Sequence, residues 1–534
     1  MKTPRRDFSL ALASAFLLVL AFPKHNLYLL AWIGLVPLLI ALERKSPGEA
    51  FTLSFVSGIT FLMGIYYWIN VVENFKLIDF LFLGMFLGSY FGLFGLTLNY
   101  ISGRTRFSRL WLAPCLWVSI EYIRSLGGFL ALPWPFLGYS QYLNLPIAQA
   151  AVFSGVYGVS FLIVMVNVAV TAIFFSHADR RQNSSSRSGS FVFFQLAVSG
   201  GMVAVWLLYG YYSMAWPSQV GSVRLAVIQG NIPQSLRWQP RSRERNLEKH
   251  IQLTRKAAEG SPLSLVIWPE TAVHGSLAQN QNELQTFSAL TREIGSPILL
   301  GSAEQPKFGK TESQGRKISN SAFLISRSGE IAGRYDKMRL LPFGEYLPLK
   351  KFPWPTRIAS SWNAGEFDPG TRYQLLDLGD VKFAVTICWE NIFPDLFRRF
   401  VRQGAQFAVN ITNEAWFGDT AAPYQFLAMS VFRAVENRIA IARAANTGVS
   451  GFIDPFGRIL GTVVDGDKDI FVTGYLAKNL PLSAERTFYT QYGDIFGLAC
   501  VVISIMSVIL SFRRSKSAHQ LHSQLRNLHG TRQL

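Results

Sequence analysis

The hydrophobic pattern divides the chain into a long apolar part, a mixed part and a short apolar end. Seven apolar runs lie in the first part, at 8–22, 27–42, 51–69, 80–101, 110–123, 151–175 and 191–212, and an eighth covers 495–512. A helix needs about 20 apolar residues to cross a bilayer. The pattern predicts seven transmembrane helices within 1–215 and a final one within 490–512. The first, second and fifth runs are short, so we expect them to extend into their flanks or to lie partly buried in the bundle.

Basic residues are concentrated in every second connection between these runs. One set of connections carries Lys2, Arg5, Arg6, Arg44, Lys45, Arg104, Arg106, Arg109, Arg180, Arg181, Arg187, Arg513, Arg514 and Lys516, and the opposite short connections carry only Lys24, Lys76 and Arg124. Cytoplasmic loops are enriched in Lys and Arg. The pattern predicts eight spans with both termini in the cytoplasm, including a basic tail at 513–534. The net charge of +18 therefore reflects topology, and we expect no nucleic-acid partner.

The first run also has the basic start and apolar centre of a secretory signal peptide. No small-residue cleavage site follows it, and such a site marks a cleaved leader. We therefore favour a retained helix. The polar stretch at 176–190, rich in Ser and Arg, predicts a flexible cytoplasmic loop.

Residues 220–480 have a different pattern, and the parity of the spans places them outside the cytoplasm. Short apolar segments alternate here with a charged amphipathic segment at 241–259 and a second helix-like segment; the apolar ones are 223–231, 264–270, 297–304, 381–390 and 406–417. A hairpin is predicted around Ser328-Gly329. Strands separated by amphipathic helices indicate a layered α/β domain. The fold class is therefore an α-helical membrane bundle of about eight spans plus an α/β domain.

Three reactive side chains follow strand-like segments of this domain. Glu270 ends "IWPE", Lys337 lies in "GRYDK", and Cys388 ends "AVTIC". In layered α/β folds, sites gather at the carboxyl ends of strands. A carboxylate can accept the proton of a thiol, and an ammonium can stabilise the oxyanion formed when that thiol attacks an acyl carbonyl. The three residue types suffice for acyl transfer through a thioester without histidine.

The remaining chemistry-bearing residues are sparse. The chain has three cysteines, too few for a disulfide framework. Cys115 and Cys500 lie inside apolar runs, where packing is the expected role. The sequence shows no cluster with metal-ligand spacing, so we expect neither a metal nor a cofactor.

The motifs "WPE", "GRYDKMRLLPFGEYLP" and "CWENIFP" resemble the nitrilase superfamily of carbon–nitrogen hydrolases. The segment "NTGVSGFIDPFGRILG" at 446–461 resembles later strands of the same fold. The resemblance implies an αββα sandwich with a Glu-Lys-Cys triad. A nitrilase-like domain at 220–480, placed after seven spans and before a last one, resembles the apolipoprotein N-acyltransferase family within that superfamily.

This resemblance implies a function. Such enzymes transfer an acyl chain from a membrane phospholipid to a cysteine, as a thioester, and then to the N-terminal amine of the diacylglyceryl-cysteine of an apolipoprotein. This transfer is the last step of lipoprotein maturation. It also implies a multi-pass protein of the bacterial cytoplasmic (inner) membrane with a periplasmic catalytic domain and no cofactor, and we expect a monomer.

The resemblance further implies roles for particular residues. Glu270 matches the general base, Lys337 the oxyanion stabiliser and Cys388 the nucleophile. Glu345 matches a further essential acid, and Glu390 an acidic position that supports the site. Trp238 matches a tryptophan on a mobile arm over the site. Trp389 stands where the family often has tyrosine, which keeps an aromatic wall but lacks the hydroxyl.

Each residue taken alone also has a simpler interpretation. Cys388 fits a buried core thiol, Glu270 a helix N-cap and Lys337 a solvated hairpin charge. Glu345 and Glu390 fit structural hydrogen-bonding roles. Trp238 also fits an anchor at the lipid interface, where tryptophan is enriched, and this is compatible with a lid. Only the three motifs together favour catalysis.

Two other functions use the same features. The first is a membrane-anchored nitrilase-type amidase that transfers to water, which the acyl donor would distinguish; eight spans are excessive for an anchor. The second is a transporter with a regulatory α/β domain. Transporters usually place ionisable groups near the midplane, whereas Glu121 and Asp79 lie near span ends.

Overall fold

The structure is a computed structural model of the 534-residue chain. It describes all residues except 1–4, 74, 103–108, 182–188, 217–218, 238–239, 274, 305–317, 349–366 and 531–534. Backbone alone is described for 176–181, 236, 237, 240 and 514–530. Two parts are distinct, a helical bundle and a sandwich of two β-sheets.

The bundle contains the helices of the first part and the last helix of the chain. In order these are α1 (Arg5–Ala21), α2 (Ala31–Gly34), α3 (Val36–Ala41), α4 (Pro47–Ile65), α5 (Leu77–Ser102), α6 (Arg109–Ser125), α7 (Leu145–Ala148), α8 (Ala151–Ser154), α9 (Val156–Arg181) and α10 (Gly189–Ala215). The C-terminal helix, Ile495–Gly530, is α17. Helix α9 continues through Arg181, so the prediction of a loop from residue 176 was wrong for its first six positions.

Five of the described helices are long and apolar enough to cross a membrane. They are α4, α5, α10, the segment Val156–Phe175 of α9 and the segment Ile495–Arg513 of α17. The other three predicted spans fall on shorter helices: α1 and α6 have 17 residues each, and the run at 27–42 is divided between α2 and α3. The total of eight spans therefore stays a prediction.

The run at 27–42 is interrupted because a side chain from another helix satisfies its backbone. Asn167 of α9 accepts a hydrogen bond from the backbone N–H of Leu35, at 2.8 Å, and donates one to the carbonyl oxygen of Ala31, at 2.9 Å. A backbone polar group left unpaired in an apolar bundle is costly. A single asparagine thus allows the helix to end and restart within the bundle.

Helices α4 and α5 pack closely along a row of glycines on α5. A Cβ atom added at any of four positions would meet atoms of α4 in every case; the positions are Gly84, Gly88, Gly92 and Gly95. Small residues at such contacts let transmembrane helices approach closely. The glycine row therefore accounts for the tight pairing of these two helices.

One matched pair of variants tests this packing. Gly95→Ala would place a methyl group against Ser54 and 2.5 Å from the carbonyl oxygen of Ala50, whereas Gly201 in α10 has no atom within 4 Å of that position. We expect Gly95→Ala to cost roughly 1–3 kcal/mol through overpacking. Gly201→Ala should be neutral or stabilising by up to about 1 kcal/mol, because alanine favours helix. Thermal unfolding in detergent measures both, and equal melting temperatures would contradict the packing account.

Among the residues that the structure describes, twelve strands form the sandwich. They are β1 (Gln219–Gln229), β2 (Leu265–Ile267), β3 (Ile298–Glu304), β4 (Ser319–Ile325), β5 (Ile331–Asp336), β6 (Leu376–Asp377), β7 (Lys382–Ile387), β8 (Phe407–Thr412), β9 (Ala440–Ala445), β10 (Gly451–Ile453), β11 (Ile459–Thr462) and β12 (Gly474–Ser483). One sheet has the order β12-β1-β2-β3-β4-β5 and the other β11-β10-β9-β8-β7-β6. Strands β4 and β5 form the hairpin predicted at Ser328-Gly329.

Six described helices belong to this domain, and some of them pack on the outer faces of the two sheets. They are α11 (Gln234–Arg237), α12 (Arg243–Ala258), α13 (Gln281–Ile294), α14 (Pro394–Arg402), α15 (Ala422–Asn437) and α16 (Phe488–Tyr492). Alternate residues of β1 face different layers: Leu225 and Val227 belong to the core shared with the second sheet, while Ala226 and Ile228 pack under α12 and α13. The predicted αββα sandwich is confirmed.

Helix α15 lies between the sandwich and the bundle, and every residue of it except Tyr424 is buried. Gln425 accepts hydrogen bonds from the indoles of Trp68 and Trp134, at 3.2 and 2.9 Å, and donates to the carbonyl oxygen of Ile65, at 3.2 Å. At the other end, Glu436 accepts from the backbone N–H of Val156 at 3.0 Å. The sandwich is therefore joined to the bundle by buried polar contacts.

Candidate active site

Glu270 lies just beyond the end of β2 and is 7% exposed. Its Oε1 accepts a hydrogen bond from the Asn320 amide at 2.8 Å, and its Oε2 accepts one from the backbone N–H of Asn413 at 2.9 Å. Gly301 on β3 has no side chain, and a Cβ there would lie 2.5 Å from the backbone nitrogen of Thr271. The carboxylate is therefore fixed from both sheets, and its turn packs directly on β3.

Lys337 follows β5 and is 2% exposed. Its Nζ lies 2.8 Å from Oε1 of Glu345 and 3.8 Å from Oε1 of Glu270. Burial lowers the pKa of Lys337, but the charges of Glu345, Cys388 and Glu270 raise it more, so that the pKa is above its ordinary value. The side chain is an ammonium at any physiological pH.

Glu345 is the nearer of the two carboxylates to this ammonium. Its Oε1 also accepts from the Asn320 amide at 3.1 Å, and its Oε2 accepts from the backbone N–H of Leu341 at 2.7 Å. One asparagine thus bridges the two carboxylates that flank Lys337. This bridge keeps Glu270 and Glu345 apart while both contact the same cation.

Cys388 begins a short 3₁₀ turn, Cys388–Ile392, directly after β7, and its backbone φ is +57°. It is partly exposed, whereas Cys115 and Cys500 are buried. Burial of the thiol raises the pKa of Cys388, and the charges of Glu270 and Glu345 raise it further, against an opposing effect of Lys337. These three residues are therefore electrostatic neighbours of the thiol, and the resting group is the protonated thiol.

Glu390 lies within the Cys388–Ile392 turn and is fully buried. It accepts hydrogen bonds from the Tyr335 hydroxyl and from the backbone N–H groups of Ile387, Met338 and Arg339, at 2.7–3.0 Å. Burial raises the pKa of Glu390 to about 7, although these N–H donors lower it. The residue ties the end of β7 to the segment that carries Lys337.

The structure describes one of the two predicted tryptophans, Trp389. Trp389 is 8% exposed, its indole N–H donates to the carbonyl oxygen of Arg339, and its ring meets Phe393 edge-to-face at 5.0 Å. Trp389 is thus a packed residue of the Cys388–Ile392 turn, and its role as an aromatic wall stays a prediction. Trp238 lies outside the described residues.

Two asparagines of the site were absent from the sequence-based prediction. Asn320 connects the two carboxylates, and the backbone of Asn413 supports Glu270. Both lie in or just after apolar strands, in "SNSAFLI" and "AVNITNE". A polar residue inside an apolar strand is a useful signal, because a buried polar group needs a partner.

The arrangement can perform one kind of chemistry directly. The thiol is protonated at rest, so its attack on a carbonyl needs a base, and Glu270 is a carboxylate in the same buried cluster. Lys337 is a fixed positive charge suited to an oxyanion. Among the described residues, no group of three or more His, Cys, Asp or Glu is arranged to hold a metal ion.

Comparison with known proteins matches both parts of the chain. The sequence model for carbon–nitrogen hydrolases matches residues 224–473, and the model for the apolipoprotein N-acyltransferase N-terminal domain matches residues 14–169. The apolipoprotein N-acyltransferase of Geobacter metallireducens is 38% identical over 527 residues, which cover 97% of each chain. The chain belongs to the apolipoprotein N-acyltransferase family. The enzyme of the same name from Chlorobaculum tepidum is 30% identical, covering 95% of this chain and 97% of its own.

Members of the apolipoprotein N-acyltransferase family match this chain through the bundle and the sandwich alike, so both parts belong to the family's architecture. Several solved structures are similar to about half of this chain. Yeast Nit3, of the nitrilase superfamily, is 17% identical with a TM-score of 0.37, covering 49% of this chain and 91% of its own. An amidase variant from Nesterenkonia is 22% identical with a TM-score of 0.36, covering 49% and 93%.

Proposed function

We propose that this protein transfers an acyl chain from a membrane phospholipid to the N-terminal amine of diacylglyceryl-cysteine in apolipoproteins, through a thioester on Cys388. The observation that carries the proposal is the pairing of a Glu270–Lys337–Cys388 cluster with a full-length match to apolipoprotein N-acyltransferases. The cluster supplies the chemistry, and the match through the bundle supports lipid substrates.

In the first half-reaction Cys388 attacks the ester carbonyl of the phospholipid. Glu270 accepts the thiol proton as the carbon–sulfur bond forms, which the raised pKa of Cys388 makes necessary. Lys337 stabilises the oxyanion of the tetrahedral intermediate. The carbon–oxygen bond then breaks, the leaving alkoxide takes the proton from Glu270, and lysophospholipid departs.

In the second half-reaction the apolipoprotein amine attacks the thioester carbonyl. Glu270 accepts a proton from the amine nitrogen, and Lys337 again stabilises the oxyanion. The carbon–sulfur bond breaks, the amide forms, and the sulfur regains its proton from Glu270. The same base and the same cation therefore serve both steps, as a ping-pong mechanism requires.

The membrane bundle fits this chemistry because both substrates are anchored in lipid. A catalytic domain fixed on the bundle meets them at a raised effective concentration. We place the protein in the bacterial inner membrane, with the sandwich on the periplasmic side, since the loop charges favour that orientation. A monomer suffices for this mechanism, because both proposed steps use residues of one chain.

Purified protein mixed with phospholipid that carries a labelled acyl chain tests the proposal. We expect one label per chain, released by hydroxylamine at neutral pH as a thioester is. A diacylated lipopeptide should discharge the label onto its N-terminal amine, and an N-acetylated lipopeptide of the same sequence should not. Intact-mass analysis measures both steps. Folded protein that takes no lipid label but hydrolyses small amides would instead be an amidase, and the proposal would be wrong.

A further inference from the structure

The turn Cys388–Ile392 carries the proposed nucleophile, and its backbone adopts a conformation that needs external support. The φ of Cys388 is +57°, in the left-handed region that is unfavourable for a residue with a side chain. Such a residue persists only where surrounding contacts hold it. The hydrogen bonds at the two ends of the turn are therefore informative.

Each end of the turn forms a hydrogen bond with a buried polar side chain of a neighbouring strand or helix. At the first end, the Asn410 amide donates to the carbonyl oxygen of Cys388 at 3.2 Å. Near the other end, the Asn391 amide donates to Oγ of Ser430 at 2.9 Å and to the carbonyl oxygen of Phe426 at 3.1 Å. The turn is thus attached to β8 and to α15.

Both attachments converge on the guanidinium of Arg443, which is 1% exposed on β9. One of its nitrogens, Nη1, donates to Oδ1 of Asn410 at 2.9 Å and to Oγ of Ser430 at 3.0 Å. Arginine donates and never accepts, so Asn410 must turn its oxygen to Arg443 and its amino group to Cys388. The guanidinium thereby sets the orientation of the group that holds the nucleophile.

The same guanidinium also reaches the support of the base. Its other terminal nitrogen donates to Oε1 of Glu414 at 2.6 Å. Glu414 follows Asn413, whose backbone N–H is bonded to Glu270 at 2.9 Å. Burial raises the pKa of Glu414 to about 7, against the lowering effect of Arg443. A single buried cation is therefore linked to the turns of both reacting groups.

We propose that Arg443 is a positioning residue that fixes the geometry between Cys388 and Glu270 through Asn410, Ser430 and Glu414. The remaining donor of the guanidinium, Nε, bonds the carbonyl oxygen of Val449 at 3.3 Å, so Arg443 acts on Cys388 and Glu270 through neighbouring groups. The inference rests on the proposed role of Cys388 as nucleophile. A misplacement of about 1 Å between reacting groups costs about 100-fold in rate.

Arg443→Lys tests this inference against Arg438→Lys in the full-length protein. Lysine keeps the charge beside Glu414 but lacks the planar fork that reaches Asn410 and Ser430 together. Arg438 is as deeply buried, but it bonds Gln149 and Ser213 of the bundle. We expect Arg443→Lys to slow acylation of Cys388 by about 100-fold at saturating phospholipid, with an unchanged half-saturating lipid concentration. Arg438→Lys should acylate at the wild-type rate.

A second variant answers the case in which Arg443→Lys fails to fold. Asn410→Asp keeps the size of the side chain and its pairing with Arg443, but removes the amide donor to the Cys388 carbonyl and to Thr386. It should show the same loss of acylation rate with unchanged half-saturation. Wild-type rates in folded Arg443→Lys or in Asn410→Asp would overturn the inference alone. A wild-type protein that forms no thioester on Cys388 would instead overturn the proposed function beneath it.

Discussion

Replacement of Cys388 by alanine should abolish acyl transfer and leave no lipid label on the protein. The variant lacks the sulfur on which we propose that the thioester forms, and Cys115 and Cys500 are buried. Folding should survive, because the thiol carries no charge at rest and alanine fits the space. Intact mass after incubation with labelled phospholipid measures the loss. Residual label on Cys388→Ala that hydroxylamine releases would show that another group is the nucleophile.

Glycine at the same position separates chemistry from backbone strain. Cys388→Gly should be as inactive as Cys388→Ala, but it should be more stable by about 1 kcal/mol, because a φ of +57° suits glycine and strains alanine. Chemical denaturation in detergent compares the two. Equal stability would indicate that the turn holds this conformation without strain.

Glu270→Gln should slow acylation of Cys388 by about 1,000-fold, within the usual range for loss of a general base. The same change should lower the pKa of Cys388, since the Glu270 charge is one of the causes that raise it. The variant is therefore expected to react faster with a simple alkylating agent at a given pH while it loses the enzymatic reaction. Alkylation rates from pH 7 to 10 measure the pKa of Cys388. Single-turnover acylation measures the rate of the enzymatic reaction.

Glu345→Gln is the matched control for this second prediction. It removes a carboxylate from the same cluster, and it too should lower the pKa of Cys388. Because Glu345 contacts Lys337 and the backbone of Leu341, its loss should slow acylation by misplacing the cation, not by removing the base. A loss for Glu345→Gln as large as that for Glu270→Gln would contradict the separate roles given to the two carboxylates.

The sequence alone was sufficient to predict the layered architecture and the reactive residues at the ends of strands. Apolar runs that stop at Glu270 and Cys388 predicted two strands, and a hairpin that runs into Lys337 predicted another. The structure places the three residues in one cluster. The reason is general: burial on both faces makes such strands continuously apolar, and the first polar residue marks the edge of the sheet. The family motifs also drew attention to Glu345 and Glu390, which contact the segment carrying Lys337.

Contacts between distant segments could not be predicted in this way. Asn320 lies 50 residues after Glu270 along the chain, and Arg443 lies 33 residues after Asn410. No local periodicity specifies such pairs. The interruption of the run at 27–42 has the same origin, because it depends on Asn167 in α9. Hydropathy detects an apolar run, but it does not detect a distant amide that allows the helix to stop.

The nearly complete burial of α15 has a consequence for the evolution of the sequence. The indole of Trp134 in a membrane-side loop bonds Gln425 of the sandwich, so a substitution at either position alters the interior of both parts. Along this helix, each part covers the surface of the other. The bundle thus shares a buried interface with the sandwich and does more than anchor it in the membrane. The two must unfold cooperatively, and their sequences must diverge together.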